Sequence, residues 1–470
     1  MIDKRDILDL ASSLGLLPNV VEKDYVLGWI LAGIYNHPAL VDAWVFKGGT
    51  CLKKCFFETY RFSEDLDFSL RDEAHLDANF LQNTLSEVME WVSERSGLTL
   101  PPDQIGIDIY QNPRGNPSCQ GKIAYRGPVT PSGKTLPKIK LDLTADEKLV
   151  LPAVVSPVFH PYRDCPEDGL WIKSYAYAEA FAEKVRALGE RTRPRDLYDV
   201  VNLYRHVENR PSAAVLRNVL EQKCQYKSIP LPTANALGTH RADLEAQWEH
   251  MLKHQLPALP PVDEFWNSLP EIFNWIMSGT EVPQRARMEL VSGEFLVRSR
   301  VLPLTVPARA RAALEIIRFA AANHLCVDLL YDKKVRRIEP YSLRQTGEGN
   351  FVLHAIRSDS GEPRSYRLDR IQRASVTAQT FSPRYLIELT GSGPLPVPQP
   401  GIPSRNVVNN SGVRGQKNRS TSSGPVYVFR CGVCKKTFNR KSMNGMLNPH
   451  KHPKGYPCSG RYGTLVRTKY

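Results

Sequence analysis

The stretch F-K-G-G-T-C-L-K-K-C-F-F-E-T-Y-R-F-S-E-D-L-D-F, Phe46 to Phe68, joins a glycine turn bearing a hydroxyl to a strand with Asp65 and Asp67 two positions apart. Side chains i and i+2 of a strand share a face, so Leu66 and Phe68 face a core while both carboxylates point into one cleft. Two carboxylates side by side repel unless cations neutralise them, and hard divalent ions such as Mg²⁺, bound by oxygen ligands and substrate phosphates, suit the arrangement. Gly48 and Gly49 let the backbone come close to a phosphate, and Thr50 adds a donor. The combination points to nucleotidyl transfer. A second stretch, K-I-K-L-D-L-T at residues 138–144, sets Lys138, Lys140, Asp142 and Thr144 on one strand face, opposite Ile139, Leu141 and Leu143. Asp142 is the expected third carboxylate for a pair of Mg²⁺ ions, with Lys140 beside it to meet a phosphate.

Working outward, 470 residues exceed one compact core and predict about two to four domains. No run approaches the ~20 uncharged apolar residues that span a bilayer. The start, M-I-D-K-R-D-I-L-D-L, lacks the basic-then-apolar layout of a secretory signal, so a cytoplasmic protein without a membrane partner is expected. Six cysteines (51, 55, 119, 165, 224 and 326) are scattered as reduced thiols are. The charge is uneven. After Glu388 there is no Asp or Glu, and the 14 Lys and Arg of that tail account for the whole net charge of +13, leaving the first 388 residues near −1. A concentrated basic tail attracts phosphate backbones.

Mixed helix and strand fill roughly the first 290 residues, read as one α+β unit with a core at about 15–205 and a helical part at about 206–290. Helices are expected at V-E-K-D-Y-V-L-G-W-I-L, at 80–95, at 174–188 and at 194–204, and strands at 105–110 and 136–144. A second unit over 298–390 begins with the amphipathic helix 308–322. Short strands follow (L-C-V-D-L-L-Y-D, R-R-I-E-P-Y-S-L, N-F-V-L-H-A-I-R, S-Y-R-L-D-R-I), which predict a small barrel. Residues 391–425 collapse to Pro, Gly, Ser and Asn, the composition of a flexible linker. The last segment, 426–470, reads C-G-V-C (431–434) and then H-K-H-P-K-G-Y-P-C (450–458). Cys431, Cys434 and Cys458, with His450 preferred over His452, fit a tetrahedral structural Zn²⁺ site, which a unit this small needs in order to fold. Lys435, Lys436 and aromatic neighbours suit contact with nucleic acid.

V-E-K-D-Y-V-L, F-K-G-G-T-x-L-x-K, R-F-S-E-D-L-D-F, K-L-D-L-T, Y-A-x-x-E-x-F-A-E-K-V-R-A-L and R-P-R-D-L-Y-D-V, in this order over about residues 15–280, resemble the AbiEii/AbiGii toxin family of nucleotidyltransferases. The resemblance implies a polymerase β-type core. It implies that Gly48, Gly49 and Thr50 bind the triphosphate of an NTP, with Lys47 and Ser63 alongside, and that Asp65 and Asp67 hold metal. It further implies that Lys184 approaches the nucleotide phosphates and that an acid of R-D-L-Y-D, Asp196 or Asp199, completes the site. The expected activity is transfer of NMP to RNA, with the tRNA 3′ end as acceptor, in a toxin–antitoxin or phage-defence system with a cognate antitoxin protein. The alternatives are a nucleic-acid-binding regulator with an inert front domain, and a protein adenylyltransferase. Residues 325–385 resemble a WYL domain, an Sm-like barrel, through I-E-P-Y-S-L and R-S-Y-R-L-D-R-I, with Phe351, Val352 and Leu353 in place of the name-giving tripeptide. That likeness implies nucleic-acid contact by Arg364, Tyr366, Arg367 and Arg370.

Overall fold

The computed structural model of the chain describes residues 2–14, 16–57, 61–131, 133, 135–280, 285–289, 291–297, 306–389, 426–431, 433–440, 447, 450–451, 457–458, 460 and 463–469. They fall in two compact units, Met1–Pro398 and Gln399–Tyr470. The expected linker 391–425 and His452 lie outside the described residues.

The first unit is built on a seven-stranded sheet. Its strands are β1 (Trp44–Lys47), β2 (Asp65–Leu70), β3 (Ile105–Gln111), β4 (Pro117–Ala124), β5 (Lys138–Thr144), β6 (Val154–Val158) and β7 (Leu170–Ser174), in the order β3-β4-β5-β2-β1-β7-β6. The pairs β2–β5 and β1–β7 run parallel and the others antiparallel. One face is apolar, as alternation predicted: Phe46 and Trp44 meet Phe68 at ring separations of 5.3 and 5.4 Å. The helices Pro18–Asn36 and Ala78–Ser96 belong to this core. The first starts at a proline and is buried all round, so it lacks the one-sided stripe of a surface helix. A Cβ at Gly33 would lie 2.7 Å from Val92, which is why the two helices approach so closely there. The second is capped by Asp77, which accepts from the Phe80 N–H at 2.8 Å, and stops at Gly97 in the left-handed region, φ +74°.

The helices Tyr177–Arg191 and Pro194–Arg205 match the expected pair, and further helices follow to Ser278. Beyond them a six-stranded antiparallel sheet stands where the small barrel was expected. Its strands are β8 (Glu294–Leu296), β9 (Leu325–Tyr331), β10 (Lys334–Thr346), β11 (Phe351–Arg357), β12 (Pro363–Arg367) and β13 (Ile371–Thr380). β10 pairs with β9, β11 and β8 in turn because it is long and bulges between Pro340 and Ser342. The single strand predicted for S-Y-R-L-D-R-I is broken. Leu368–Arg370 form a 3₁₀ turn that buries Leu368 while Arg367 clasps Asp369 across the bend at 2.8 Å.

Across the boundary expected between residues 290 and 298 the two regions pack within one compact unit. Apolar residues of the front part and of the helix Ala308–Ala322 belong to one continuous core. At the seam the carboxylate of Glu264 is shared by Arg205 at 2.9 Å and His324 at 3.0 Å. The C-terminal unit has β14 (Val426–Cys431), β15 (Thr437–Arg440) and β18 (Gly463–Lys469) in the order β15-β14-β18, and a two-stranded ladder of β16 (His450–Lys451) with β17 (Pro457–Cys458).

Candidate active site

The polar face of the seven-stranded sheet is organised in rows by strand register. Lys47, Asp67, Asp142, Gln120 and Asp108 are successive partners across β1, β2, β5, β4 and β3. One step along, Asp65 is level with Lys140 and then Lys122. Three aspartates of two adjacent parallel strands therefore share one face, as the sequence predicted. Burial raises the Asp67 carboxyl to about 6, and the charges of Asp142 and Asp65 add to this, while Lys47 and Lys184 oppose it. Asp142 is raised as well, by burial and by Asp65, against the Gln120 amide 3.4 Å away and Lys140. Crowded acids that resist ionisation are the donor set that a hard divalent cation relieves, so these residues fit Mg²⁺.

The glycine turn packs against this row. Gly48 has φ +77°, and a Cβ there would stand 2.0 Å from Asp67 Oδ2; one on Gly49 would stand 2.4 Å from Arg61 Nη2. Having no side chain, Gly48 keeps the backbone close to the Asp67 carboxylate and Gly49 keeps it close to the Arg61 guanidinium. Thr50 is placed differently from expectation. It is buried, and its hydroxyl donates to the Asp65 carbonyl at 2.5 Å, so it ties the turn to β2. Ser63 is half-buried on the approach to β2. Lys47 reaches Glu147 at 2.5 Å, and the Tyr175 hydroxyl donates to the same carboxylate at 2.7 Å. Burial works against the Glu147 charge, yet Lys47 and Lys223 hold its carboxyl well below the usual range.

Lys184, on the helix Tyr177–Arg191, is buried and bonded to Asp199 at 2.8 Å and Asp196 at 3.4 Å. Asp199 is also gripped in bidentate fashion by Arg61 at 2.7 and 2.8 Å, and Asp196 by Arg191 at 2.7 and 3.0 Å. Against the cost of burial, Arg61 and Lys184 hold Asp199 ionised, and Lys184 with Arg191 does so for Asp196. Lys184 itself is raised: burial opposes its charge, but Asp199 and Asp196 outweigh that. Its charge also opposes the rise of the Asp67 carboxyl.

A family profile described as "Nucleotidyl transferase AbiEii toxin, Type IV TA system" matches residues 29–272, more than half of the chain. This chain belongs to the AbiEii family. It is a nucleotidyltransferase of the toxin type, and enzymes of this type use an NTP and a divalent metal. A WYL-domain profile matches residues 312–376. Among solved structures, the chain is similar to MenT4, a nucleotidyltransferase toxin from Mycobacterium tuberculosis H37Rv, at 18% identity and a TM-score of 0.37, over 57% of this chain and 89% of that one. No curated protein gives a significant match.

In this AbiEii-family chain, the acids of V-E-K-D-Y serve the scaffold. Glu22 accepts from the N–H groups of Val129 and Thr130 at 2.5 and 3.1 Å, and Asp24 accepts from the fully buried Lys54 at 2.7 Å. Sequence reasoning missed Arg61, Glu147 and Arg191. Arg61 lies in the opening stretch, four residues before Asp65, and Glu147 follows Asp142 by five, so proximity to the acids was the available signal. In the WYL region Tyr366 is a correction. Expected at a nucleic-acid surface, it is 1% exposed and packs edge-on against Tyr331 at 5.2 Å, because its position on β12 faces the core. Arg364 and Arg367 are exposed or half-buried but neutralised locally by Glu362 at 2.6 Å and Asp369 at 2.8 Å, and Arg370 is exposed.

The C-terminal unit gathers Cys431, Cys434, His450 and Cys458 with donor atoms all within 4.8 Å of one another. Among the described residues this is the one group of three or more Cys, His, Asp or Glu so tightly gathered; the three aspartates are more widely spread. The Cys431 and Cys458 sulfurs are 3.9 Å apart, and Cys434 Sγ is 3.3 Å from His450 Nε2. A tetrahedron of ~2.3 Å zinc–sulfur bonds has sulfur–sulfur edges near ~3.8 Å, so the quartet fits Zn²⁺. Backbone N–H groups of Cys434 and Val433 bring the Cys431 thiol down to about 6, towards the thiolate a metal requires. Lys435 and Lys436 are exposed beside it.

Proposed function

We propose that the carboxylate row transfers a nucleoside monophosphate from an NTP to an RNA hydroxyl, with a tRNA 3′ end as the acceptor and Mg²⁺ as the metal. The observation that carries this reading is the register that aligns Lys47, Asp67 and Asp142, with Gly48 pressed against Asp67. Asp65, Asp67 and Asp142 would hold the ions, which supply charge neutralisation at the α-phosphate and activation of the acceptor hydroxyl. The Gly48–Gly49 backbone admits the triphosphate beside them. Lys47 and Lys184 offer positive charge to it, each already oriented by a buried carboxylate, so little reorganisation is needed when the phosphates arrive. As the acceptor oxygen bonds to the α-phosphorus, the bond to pyrophosphate breaks on the far side.

The acceptor reading is supported by the tail that carries the entire net positive charge. A cognate antitoxin protein and a structural zinc in the C-terminal quartet complete the proposal. Incubating the purified chain with Mg²⁺, labelled NTPs and total RNA tests it. The expected result is labelled RNA in tRNA-sized bands, lost in Asp65→Ala. Label on protein instead of RNA would replace this reading with protein nucleotidylation, and no Asp65-dependent label in either would leave a nucleic-acid-binding regulator.

A further inference from the structure

The polar sheet face does not end at the carboxylates. Continuing the rows across β4 and β3 brings Lys122 level with Lys140 and Asp65, Gln120 level with Asp142, and Tyr110 level with Ser118 and Thr144. Laterally paired residues share a face, so Lys140, Lys122 and Tyr110 look out on the same side as Asp65, Asp67 and Asp142. All three are exposed, Tyr110 by 44%, large for an aromatic on a sheet. Among the described residues neither lysine enters an ion pair. Gly106, the partner of Lys122 on the edge strand, puts no side chain over it. Asp108 is the one acid on this extension, on the outermost strand between the lysine row and the tyrosine row.

Direction decides what this face is for. The glycine turn and the Lys184–Asp199–Arg61 cluster adjoin the β1 and β2 side of the carboxylates. Attacking and leaving oxygens lie roughly in line across a phosphorus under transfer. A triphosphate lodged on the β1–β2 side therefore requires the acceptor to arrive from the side of β5, β4 and β3. Two unpaired cations for backbone phosphates and one open aromatic ring for a base are the elements of a single-strand nucleic-acid platform. We propose that the exposed face of β5, β4 and β3, with Lys140, Lys122 and Tyr110, is the docking platform for the single-stranded 3′ end of the nucleic-acid acceptor. This rests on the transferase reading above and adds the place where its acceptor lies.

The test uses the full chain in two assays. First, RNA oligonucleotides ending in an unpaired 3′ segment with a photoreactive terminal nucleotide are cross-linked to the Asp67→Asn protein, and the adducts are mapped by mass spectrometry. Adducts are expected within residues 105–124 and 138–144; adducts confined to other segments, or none, overturn the platform. Second, KM values for RNA and for NTP are compared in Lys122→Glu, Lys122→Arg and Tyr110→Ala. The KM for RNA should rise about 10-fold or more in Lys122→Glu and several-fold in Tyr110→Ala, and return towards wild type in Lys122→Arg, with the KM for NTP held within about 2-fold. An unchanged KM for RNA in Lys122→Glu and Tyr110→Ala, with RNA labelling intact, refutes the platform while leaving the transferase reading standing. Loss of RNA labelling in the wild type refutes both.

Discussion

At the scale of single residues, Asp67 is where structure and chemistry are most at odds, and that tension is measurable. Its carboxyl is raised from 3.8 to about 6 in the folded chain, chiefly by burial and then by the neighbouring acids. A raised acid binds more protons folded than unfolded between those values, so it lowers stability as pH climbs through that window, and the full penalty persists above about 6. Asp67→Asn is therefore expected to raise the thermal midpoint of the divalent-free protein at pH 7.5, by on the order of 1–2 kcal/mol of stability after allowing for partial exposure. The gain should shrink as pH falls through that window and vanish only below about 3.8, where the carboxyl is protonated in both states. Mg²⁺ should stabilise the wild type at pH 7.5 and much less the variant; equal responses in scanning fluorimetry would count against a metal at this row. Gly48 offers a second prediction. An alanine there would be strained by about 1–2 kcal/mol in the left-handed region and would collide with Asp67 Oδ2. Transfer should fall ~100-fold or more through misplacement of that carboxylate, with the fold retained by circular dichroism. The residue pattern made both positions legible, since alternation and a paired glycine are local signals. Thr50 was misread because its partner, the Asp65 carbonyl, is set by how the turn folds back on β2.

At the scale of elements, the strands and helices that present the site follow from periodicity, and what escaped was the pairing between them. β2 and β5 were predicted as separate polar-faced strands, but their parallel register, which sets Asp67 beside Asp142, is a tertiary fact. The same holds for Asp196 and Asp199. The sequence placed both acids on one helix without choosing between them, and the structure gives both to the buried Lys184, with the exposed Arg191 also on Asp196. Asp199 is the more deeply committed, because Arg61 bridges from the segment before β2 to the helix Pro194–Arg205 and so ties two elements of the site together. Removing one partner of a buried pair leaves an under-compensated charge, a loss of about 3–5 kcal/mol in unrelieved cases. Lys184 remains on Asp199, so Arg61→Ala should cost less, on the order of 2–3 kcal/mol in urea denaturation of the front unit. The sign with pH is fixed. Asp199 is held well below its ordinary value, so the stability from this pair is present above that value and is lost as pH falls through the folded one. The deficit of Arg61→Ala relative to wild type should accordingly narrow on acidification. A deficit independent of pH would assign Arg61 a packing role alone.

At the scale of the whole molecule, the two compact units differ in what keeps them folded. The transferase and WYL-matching regions share an extensive apolar core, and the seam adds the Arg205–Glu264–His324 cluster. The composition signals that predicted separate domains could not reveal this seam, because Glu264 and His324 lie far apart in sequence. Among its described residues the C-terminal unit has almost no such core. Its buried cluster is Phe429, Cys431, Cys434, Leu447 and Cys458, so three of five members are proposed metal ligands. Apolar burial on that scale cannot offset the entropy of ordering the chain, and the binding energy of a structural zinc, ~10–16 kcal/mol at neutral pH in small zinc-dependent folds, becomes the folding energy. Elemental analysis of the purified chain should give one zinc per molecule, lost in Cys434→Ser or Cys458→Ser. Chelation at pH 7.5 should abolish amide-exchange protection in β14 and β18 while leaving the sheet of the first unit protected to its usual degree. Because the ligands must shed protons before they bind, zinc should also leave on acidification alone. Protection of β14 and β18 that survives both chelation and acid would show that this unit folds without metal, and the cysteine quartet would then need another explanation.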